Sequence, residues 1–377
     1  MGFKRIFKYF LIWQTVILFI VSWSANLFPL RTTFIGGGEQ ASFANPKPYL
    51  RNPHLYFRGN FDGIHYIGVS RRGYGLSQQA FFPLYPKLME SIYKLTRNTV
   101  FNASLISTIF FLLALIYLAK LIRLDYPKSV AVWSITALLF FPVSFFFTAV
   151  YTESLFLFLC VSAFYYARKK RWWIAAILTA LATYTRFVGI FLIPALLIEL
   201  YYQTKQFRLV KLLPFLIMPL GLLAYMVYLQ NTTGDPLAFI HVQASFGQGR
   251  SDKIILLYQV FWRYAKMLWT VNRADPLYMT LVFEASSAVV FFVMSLFLLI
   301  RYRFSYAFFN FCSLILPTLT GTFTSLPRYV LLCFPSFILI GHLLSKSRPA
   351  VRYLYLGLSL SVGILFLALF ARGYWVA

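Results

Sequence analysis

Between Asn60 and Pro86 the chain reads NFDGIHYIGVSRRGYGLSQQAFFPLYP, and within it Asp62 precedes His65 by three residues. If residues 62–70 are helical, Asp62, His65 and Tyr66 share one face, because i, i+3 and i+4 positions superpose. An acid beside an imidazole, held against a membrane, is what proton transfer at an interface requires. A solvated loop acid near an ordinary histidine is the plainer reading, and the rest of the chain must decide between the two. Glu153 lies between two apolar runs, where a helix-start acid next to a Thr152 cap is the alternative to a site role. Arg186, in Tyr184-Thr185-Arg186-Phe187, can snorkel to headgroups; its depth and the place of Glu153 in the topology favour a buried ion pair or a phosphate contact. Arg328, between Pro327 and Tyr329, is either an interfacial anchor or a site residue. His241, downstream of Gly234-Asp235-Pro236, reads by itself as structural.

One chemistry links these residues. A sugar carried on a polyprenyl phosphate needs a membrane-facing groove for its lipid and arginines at interface depth for its phosphate. As the bond to the sugar breaks, the departing phosphate gains charge, so a positioned arginine holds the transition state more tightly than the ground state. Phosphate leaves without a general acid. One carboxylate that takes the proton of the incoming hydroxyl then suffices.

The elements that position these residues are set by composition. The chain is 60% hydrophobic and only 12% charged, against about 25% charged in ordinary soluble proteins. Apolar runs long enough to cross a bilayer recur along it, which makes it an all-α polytopic membrane protein. The first run, from about Tyr9 to Leu30 behind Lys4, Arg5 and Lys8, is too long for a signal-peptide core and is expected to be an uncleaved span. Later spans are expected near 99–120, 129–147, 151–167, 172–185, 188–202, 210–230, 277–300, 305–321, 329–345 and 353–371, about eleven in all. Residues 172–202 read either as a hairpin or as one helix that would put Arg186 at mid-bilayer, and the hairpin is preferred. Short connectors holding Arg168 to Arg171, Lys205, Arg208 and Lys211, Arg301 and Arg303, and Lys346 to Arg352 are expected inside. That leaves two large outer segments, 31–97 and 231–276, with the candidate residues at or just inside the outer face. Gly36-Gly37-Gly38 in the first reads as a turn, since no phosphate-loop motif surrounds it.

The net charge of +25 sits mostly in connectors, where it anchors topology and meets anionic lipid headgroups, and no nucleic-acid motif accompanies it. Cys160, Cys312 and Cys333 lie inside apolar runs and form no CxxC pair; no HExxH and no Asp-x-Asp occurs, so neither a disulfide framework nor a metal is supported.

Phe61-Asp62-Gly63-Ile64-His65-Tyr66, Gly73-Tyr74 and Ala80 to Pro86 resemble the first luminal loop of PIG-V-type, GPI mannosyltransferase 2-like enzymes of the GT-C superfamily. Phe141-Pro142 through Ser154, Tyr184-Thr185-Arg186, Gly234-Asp235-Pro236-Leu237 and Pro327-Arg328-Tyr329 follow in the family's order, so the resemblance runs over roughly residues 55–345. It implies a GT-C-like bundle working as a single domain over residues 1–377, with the active site on the non-cytoplasmic face. It further implies an inverting transferase that moves a sugar, mannose by analogy, from a polyprenyl-phosphate donor to a glycan or glycolipid acceptor without a cofactor. The family's loop acid maps onto Asp62; His65, Glu153, Arg186, His241 and Arg328 are the expected substrate-binding residues, with Glu153 as rival base. Phe61 stands where the family often has Trp. The compact length suggests a prokaryotic plasma-membrane relative. A transporter or flippase of a lipid-linked glycan, and a non-catalytic assembly subunit, are the competing classes; the first would need a polar route that the sparse mid-span charges do not offer.

Overall fold

The computed structural model describes residues 2–31, 47–205, 209–247 and 249–376, and every regular element among them is helical. The Gly36-Gly37-Gly38 turn and Arg208 lie outside these residues. Helices are the expected answer for a chain of this composition, because in lipid each backbone N–H and C=O must be satisfied within its own segment. Among the described residues, six helices are long and apolar enough to cross a membrane: Lys4–Leu27, Thr99–Ile122, Phe187–Thr204, Leu209–Thr233, Leu277–Arg301 and Pro349–Ala371. A seventh arises if Leu326–Leu332 and Phe334–Lys346, bent by 80°, count as one span. The chain is therefore a multi-pass membrane protein.

The other expected spans are apolar and helical but shorter, and the reasons are local. The run at 129–147 stops being α-helical at Phe140, ahead of Pro142, and continues as a tighter 3-10 turn at Ser144–Thr148. The run at 305–321 carries Pro317 in its last turn and ends at Thr318. Proline removes one backbone donor and clashes with the preceding turn, so neither run reaches full length as one regular helix. Where helices do start cleanly, caps explain it. The Asn98 side chain accepts from the Phe101 N–H at 3.0 Å, and Asp275 accepts from the Leu277 N–H at 2.8 Å with Pro276 in the first turn.

The chain forms two compact units, one of Met1–Gly73, Tyr85–Phe158 and Phe337–Val376, the other chiefly of Tyr74–Leu84 and Leu159–Ser336. In the first, the Phe3–Leu27 and Pro349–Ala371 helices run side by side, tied at their carboxyl ends by Arg31 N–H to the Arg372 carbonyl at 3.0 Å. Lys128–Phe140 lies parallel to them: Arg352 stands over Trp133, Tyr355 donates to the Ala137 carbonyl at 3.5 Å, and Trp13 donates to Ser144 at 3.1 Å.

In the second unit, residues 172–202 are a hairpin. The Trp172–Thr183 helix ends, Arg186 is extended at φ −156°, and a second helix runs Leu192–Thr204. The Gln203 amide donates to the Ala167 carbonyl at 3.0 Å, which ties the end of the second arm to the helix Glu153–Arg168 that leads into the first. Near the tip the arms touch so closely that a Cβ on Gly189 would fall 2.7 Å from the Ala182 carbonyl carbon, so only glycine fits. At the open end, buried Glu199 accepts two hydrogen bonds from Arg303 at 2.7 Å and one from Ser305 at 3.0 Å, and pairs with Arg168 at 3.4 Å. Removing one partner of such a buried pair costs about 3–5 kcal/mol. The basic connectors expected on one side, at 168–171 and 301–303, thus gather at one end of this unit.

Candidate functional site

In the first unit, residues Asp62–Arg72 are α-helical, so Asp62, His65 and Tyr66 do share a face. Asp62 and His65 are half-buried and Tyr66 is buried. Phe61, just before the helix, has a positive φ of 54°, which is rare for an aromatic residue. Its ring is held 5.4 Å from Phe370 and edge-on to Trp375 at 5.1 Å, and these contacts offset the backbone cost. Burial lowers the His65 pKa from 6.5, against the opposing pull of the Asp62 charge. Burial thus favours the neutral form of the ring beside Asp62.

The Asp62 helix is pinned to the connector that carries Glu153. Val150 N–H donates to the Arg58 carbonyl at 2.8 Å, the Arg58 guanidinium donates to the Thr148 carbonyl at 3.1 Å, and Tyr151 donates to the Asn60 carbonyl at 2.8 Å. Asn60 in turn donates to the Phe370 carbonyl at 2.8 Å. Tyr66, one turn after Asp62, shares a 3.4 Å hydrogen bond with Thr152, the residue before Glu153. Glu153 is 1% exposed, opens the Glu153–Arg168 helix and lies within electrostatic range of Tyr85. Asp62, His65 and Glu153 are thus parts of one tied assembly. Sequence spacing exposed the first two; the ties to 148–152 join residues about 90 apart and left no local signal.

The second unit holds Arg186, His241 and Arg328. Arg186 sits at the hairpin tip, half-buried, with its guanidinium 5.3 Å from the centre of the Tyr329 ring. Arg328 is 3% exposed, and its guanidinium stands at the same distance from the same ring. Two cations on one aromatic ring make a site of concentrated positive charge, to which an anion such as a phosphate is complementary.

His241 is placed differently. Its Nδ1 lies 2.6 Å from Asp235, and that hydrogen bond holds the Asp235 carboxyl below its ordinary value. Asp235 also caps the following turn through Leu237 N–H at 2.9 Å. The Gly234-Asp235-Pro236-Leu237 motif therefore fixes His241 on the 231–276 segment, and Phe239 beside it packs at 5.2 Å on Phe187, the neighbour of Arg186.

Glu284 is a residue the sequence reading passed over. It is 2% exposed, accepts from the Tyr264 hydroxyl at 2.6 Å and from the Ser325 N–H at 3.1 Å, and has Arg250 within electrostatic range. Ser325 is left-handed at φ 67° and starts the short helix Leu326–Tyr329 that carries Arg328 and Tyr329. Glu284 thus anchors the turn from which both residues project. The one hint in the sequence was an acid inside an apolar run, itself a functional signal in membrane helices. Among the described residues, no group of three or more His, Cys, Asp or Glu side chains is arranged to hold a metal ion.

The family described as Mannosyltransferase (PIG-V) matches residues 3–233, a stretch that takes in Asp62, His65, Glu153 and Arg186. No curated protein matches the sequence. Among solved structures, the chain is similar to the oligosaccharyltransferase of Archaeoglobus fulgidus in its apo form, at 12% identity and a TM-score of 0.46, over 98% of this chain and 56% of that one. The same archaeal protein, tethered to an acceptor peptide containing the NVT sequon, matches at 14% identity and a TM-score of 0.40, over 97% of this chain and 55% of that one. The chain spans a little over half the length of that enzyme.

Proposed function

The chain belongs to the PIG-V mannosyltransferase family, and from that premise we propose an inverting membrane glycosyltransferase that moves mannose from a polyprenyl-phosphate donor to a glycan or glycolipid acceptor. The acceptor hydroxyl attacks the anomeric carbon as the bond to phosphate breaks. Asp62 takes the hydroxyl proton, His65 positions that carboxylate or the acceptor, and the phosphate departs with the bonding electrons. Arg186 and Arg328 hold the charge that builds on it, which lowers the barrier because the interaction grows along the reaction. Phosphate leaves unaided, so the scheme calls for no cofactor.

The observation that carries this reading is the tied assembly around the Asp62–Arg72 helix, which holds the half-buried Asp62 side chain on one face with the half-buried His65 imidazole on a rigid support. The paired arginines over Tyr329 support the donor side independently. In this reading the amino end and the basic connectors lie in the cytoplasm and the Asp62 segment lies outside, on a prokaryotic plasma membrane, an orientation that the lysine and arginine distribution supports. In this reading the shorter apolar helices and the bent pair also cross the membrane, beyond the six long spans, for about eleven crossings.

Purified protein incubated with a panel of polyprenyl-phosphate sugars tests the proposal. Transfer from the mannosyl donor with inversion at the anomeric carbon is expected. Transfer from nucleotide sugars but from no lipid donor would overturn it, and retention of configuration would remove the single-displacement scheme.

A further inference from the structure

The first unit carries a groove of about 530 Å³ that the proposed reaction does not use. It lies between three parallel helices, Phe3–Leu27, Lys128–Phe140 and Pro349–Ala371. Its walls are almost wholly apolar, with Trp13, Ile17, Phe140, Leu360 and Leu367 among them. Among its few polar side chains, Ser144 is already engaged, accepting from Trp13 at 3.1 Å and donating to the Leu139 carbonyl at 2.7 Å.

The groove is asymmetric along its length. At the end where the three helices begin, Arg5 and Tyr9 line it, with the guanidinium 3.0 Å from the Tyr9 hydroxyl. Trp133 also lines that end, with the Arg352 guanidinium 5.1 Å from its ring centre. The segments gathered there, residues 2–10, 118–130 and 340–352, hold nine Lys and Arg against a single acid, Asp125. At the other end the lining contains no charge. On the third helix the wall runs from Leu356 to Leu367, which is about 16 Å at 1.5 Å per residue. That matches half of a hydrocarbon core about 30 Å thick. Arg5 lies seven residues before Ile12, where the apolar wall of the first helix begins, and so stands about 10 Å further out, at headgroup depth.

We propose that this groove is a binding site for one anionic phospholipid of the bilayer, its acyl chain along the Trp13 wall and its phosphate on Arg5. An apolar trough of one leaflet's depth selects a chain of ordinary acyl length, and the cationic rim selects a negative headgroup. A zwitterionic lipid would gain the same chain burial without the net charge attraction. A polyprenyl chain, several times longer, would extend beyond the trough. The site is separate from the Asp62 assembly and does not depend on the proposed reaction.

Trp13 and Trp133 on the wall provide the readout, since bromine on an acyl chain quenches indole fluorescence on contact. The full-length protein is placed in phosphatidylcholine nanodiscs containing a minor fraction of dibrominated phosphatidylglycerol or, separately, of dibrominated phosphatidylcholine. The expected result is about fivefold or stronger preferential quenching by phosphatidylglycerol. It should fall to parity in Arg5→Gln, an exposed substitution that leaves the fold intact. Gly363→Leu, whose Cβ would stand 3.5 Å from the Pro142 backbone on the groove wall, should lose the quenching of Trp13 and Trp133 by either lipid. Equal quenching by the two lipids in the unaltered protein, or a preference that survives Arg5→Gln, would overturn the assignment. So would release of the brominated phosphatidylglycerol by an equimolar polyprenyl phosphate, or a groove unquenched by any lipid because a protein helix fills it.

Discussion

The guanidinium groups of Arg186 and Arg328 stand at the same distance, 5.3 Å, from the ring of Tyr329. These residues are 142 positions apart in the chain, one at the tip of a hairpin and the other in a short helix behind a left-handed serine. An aromatic face stabilises two neighbouring cations that would otherwise repel. The arrangement keeps positive charge concentrated where snorkelling to the surface would have dispersed it.

If that charge holds the donor phosphate, Arg186→Ala and Arg328→Ala should each lower donor kcat/KM roughly 10- to 100-fold, the scale of a lost charge-assisted hydrogen bond of about 1.5–3 kcal/mol. Lysine should restore only part of the loss, because it lacks the planar fork. Donor titrations on well-expressed variants decide this. Wild-type donor kinetics in both alanine variants would make the two arginines anchors.

Glu284 offers a separate test of the same turn. Glu284→Ala leaves the Ser325 N–H and the Tyr264 hydroxyl buried without their acceptor, a cost of about 1–3 kcal/mol, and should raise the donor KM more than it lowers kcat. Glu284→Gln keeps an acceptor for Ser325 and should recover most of the affinity. Thermal melts and donor kinetics should be read together; a lower melting temperature with an unchanged KM in the alanine variant would confine Glu284 to stability.

The pH dependence follows from His65. Its pKa in the folded protein is lowered from 6.5 by burial, so the native state favours the neutral ring. That stability is fully present above pH 6.5, is lost as pH falls through the lower folded value, and is absent below it. His65→Gln cannot titrate. The difference in melting temperature between the wild type and this variant should therefore shrink from pH 7.5 to pH 5.5. A difference that grows on acidification would mean that His65 is stabilised as the cation.

The sequence showed what is periodic or local. The i, i+3, i+4 spacing of Asp62, His65 and Tyr66 foretold a helix face, and the charge at Arg186 between two short apolar runs foretold the hairpin. It did not show which apolar runs would be interrupted, because Pro142 and Pro317 end helices that hydropathy alone carries through. Nor did it show the polar pairs that depend on the fold. Glu199 with Arg303 and Glu284 with Ser325 join residues 104 and 41 apart, and no spacing rule reaches that far. Asp235 with His241 is nearer, six apart, but that spacing matches no single face of a helix, so the sequence by itself does not pair them.

If Asp62 takes the acceptor proton, removing its basicity must slow the chemistry while leaving donor binding intact, and two variants measured side by side show it. Asp62→Asn keeps the shape and hydrogen-bonding capacity of the side chain but cannot accept that proton near neutral pH. Glu153→Gln makes the same change at the rival carboxylate in the tied assembly. Single-turnover transfer should be measured for both, with donor binding measured separately. Asp62→Asn should bind donor normally and transfer roughly 10² to 10⁴-fold more slowly, the range for loss of a general base, while Glu153→Gln stays within a small factor of the wild type. Near-normal transfer by Asp62→Asn, with Glu153→Gln inactive yet still binding donor, would contradict the account and move the base to Glu153.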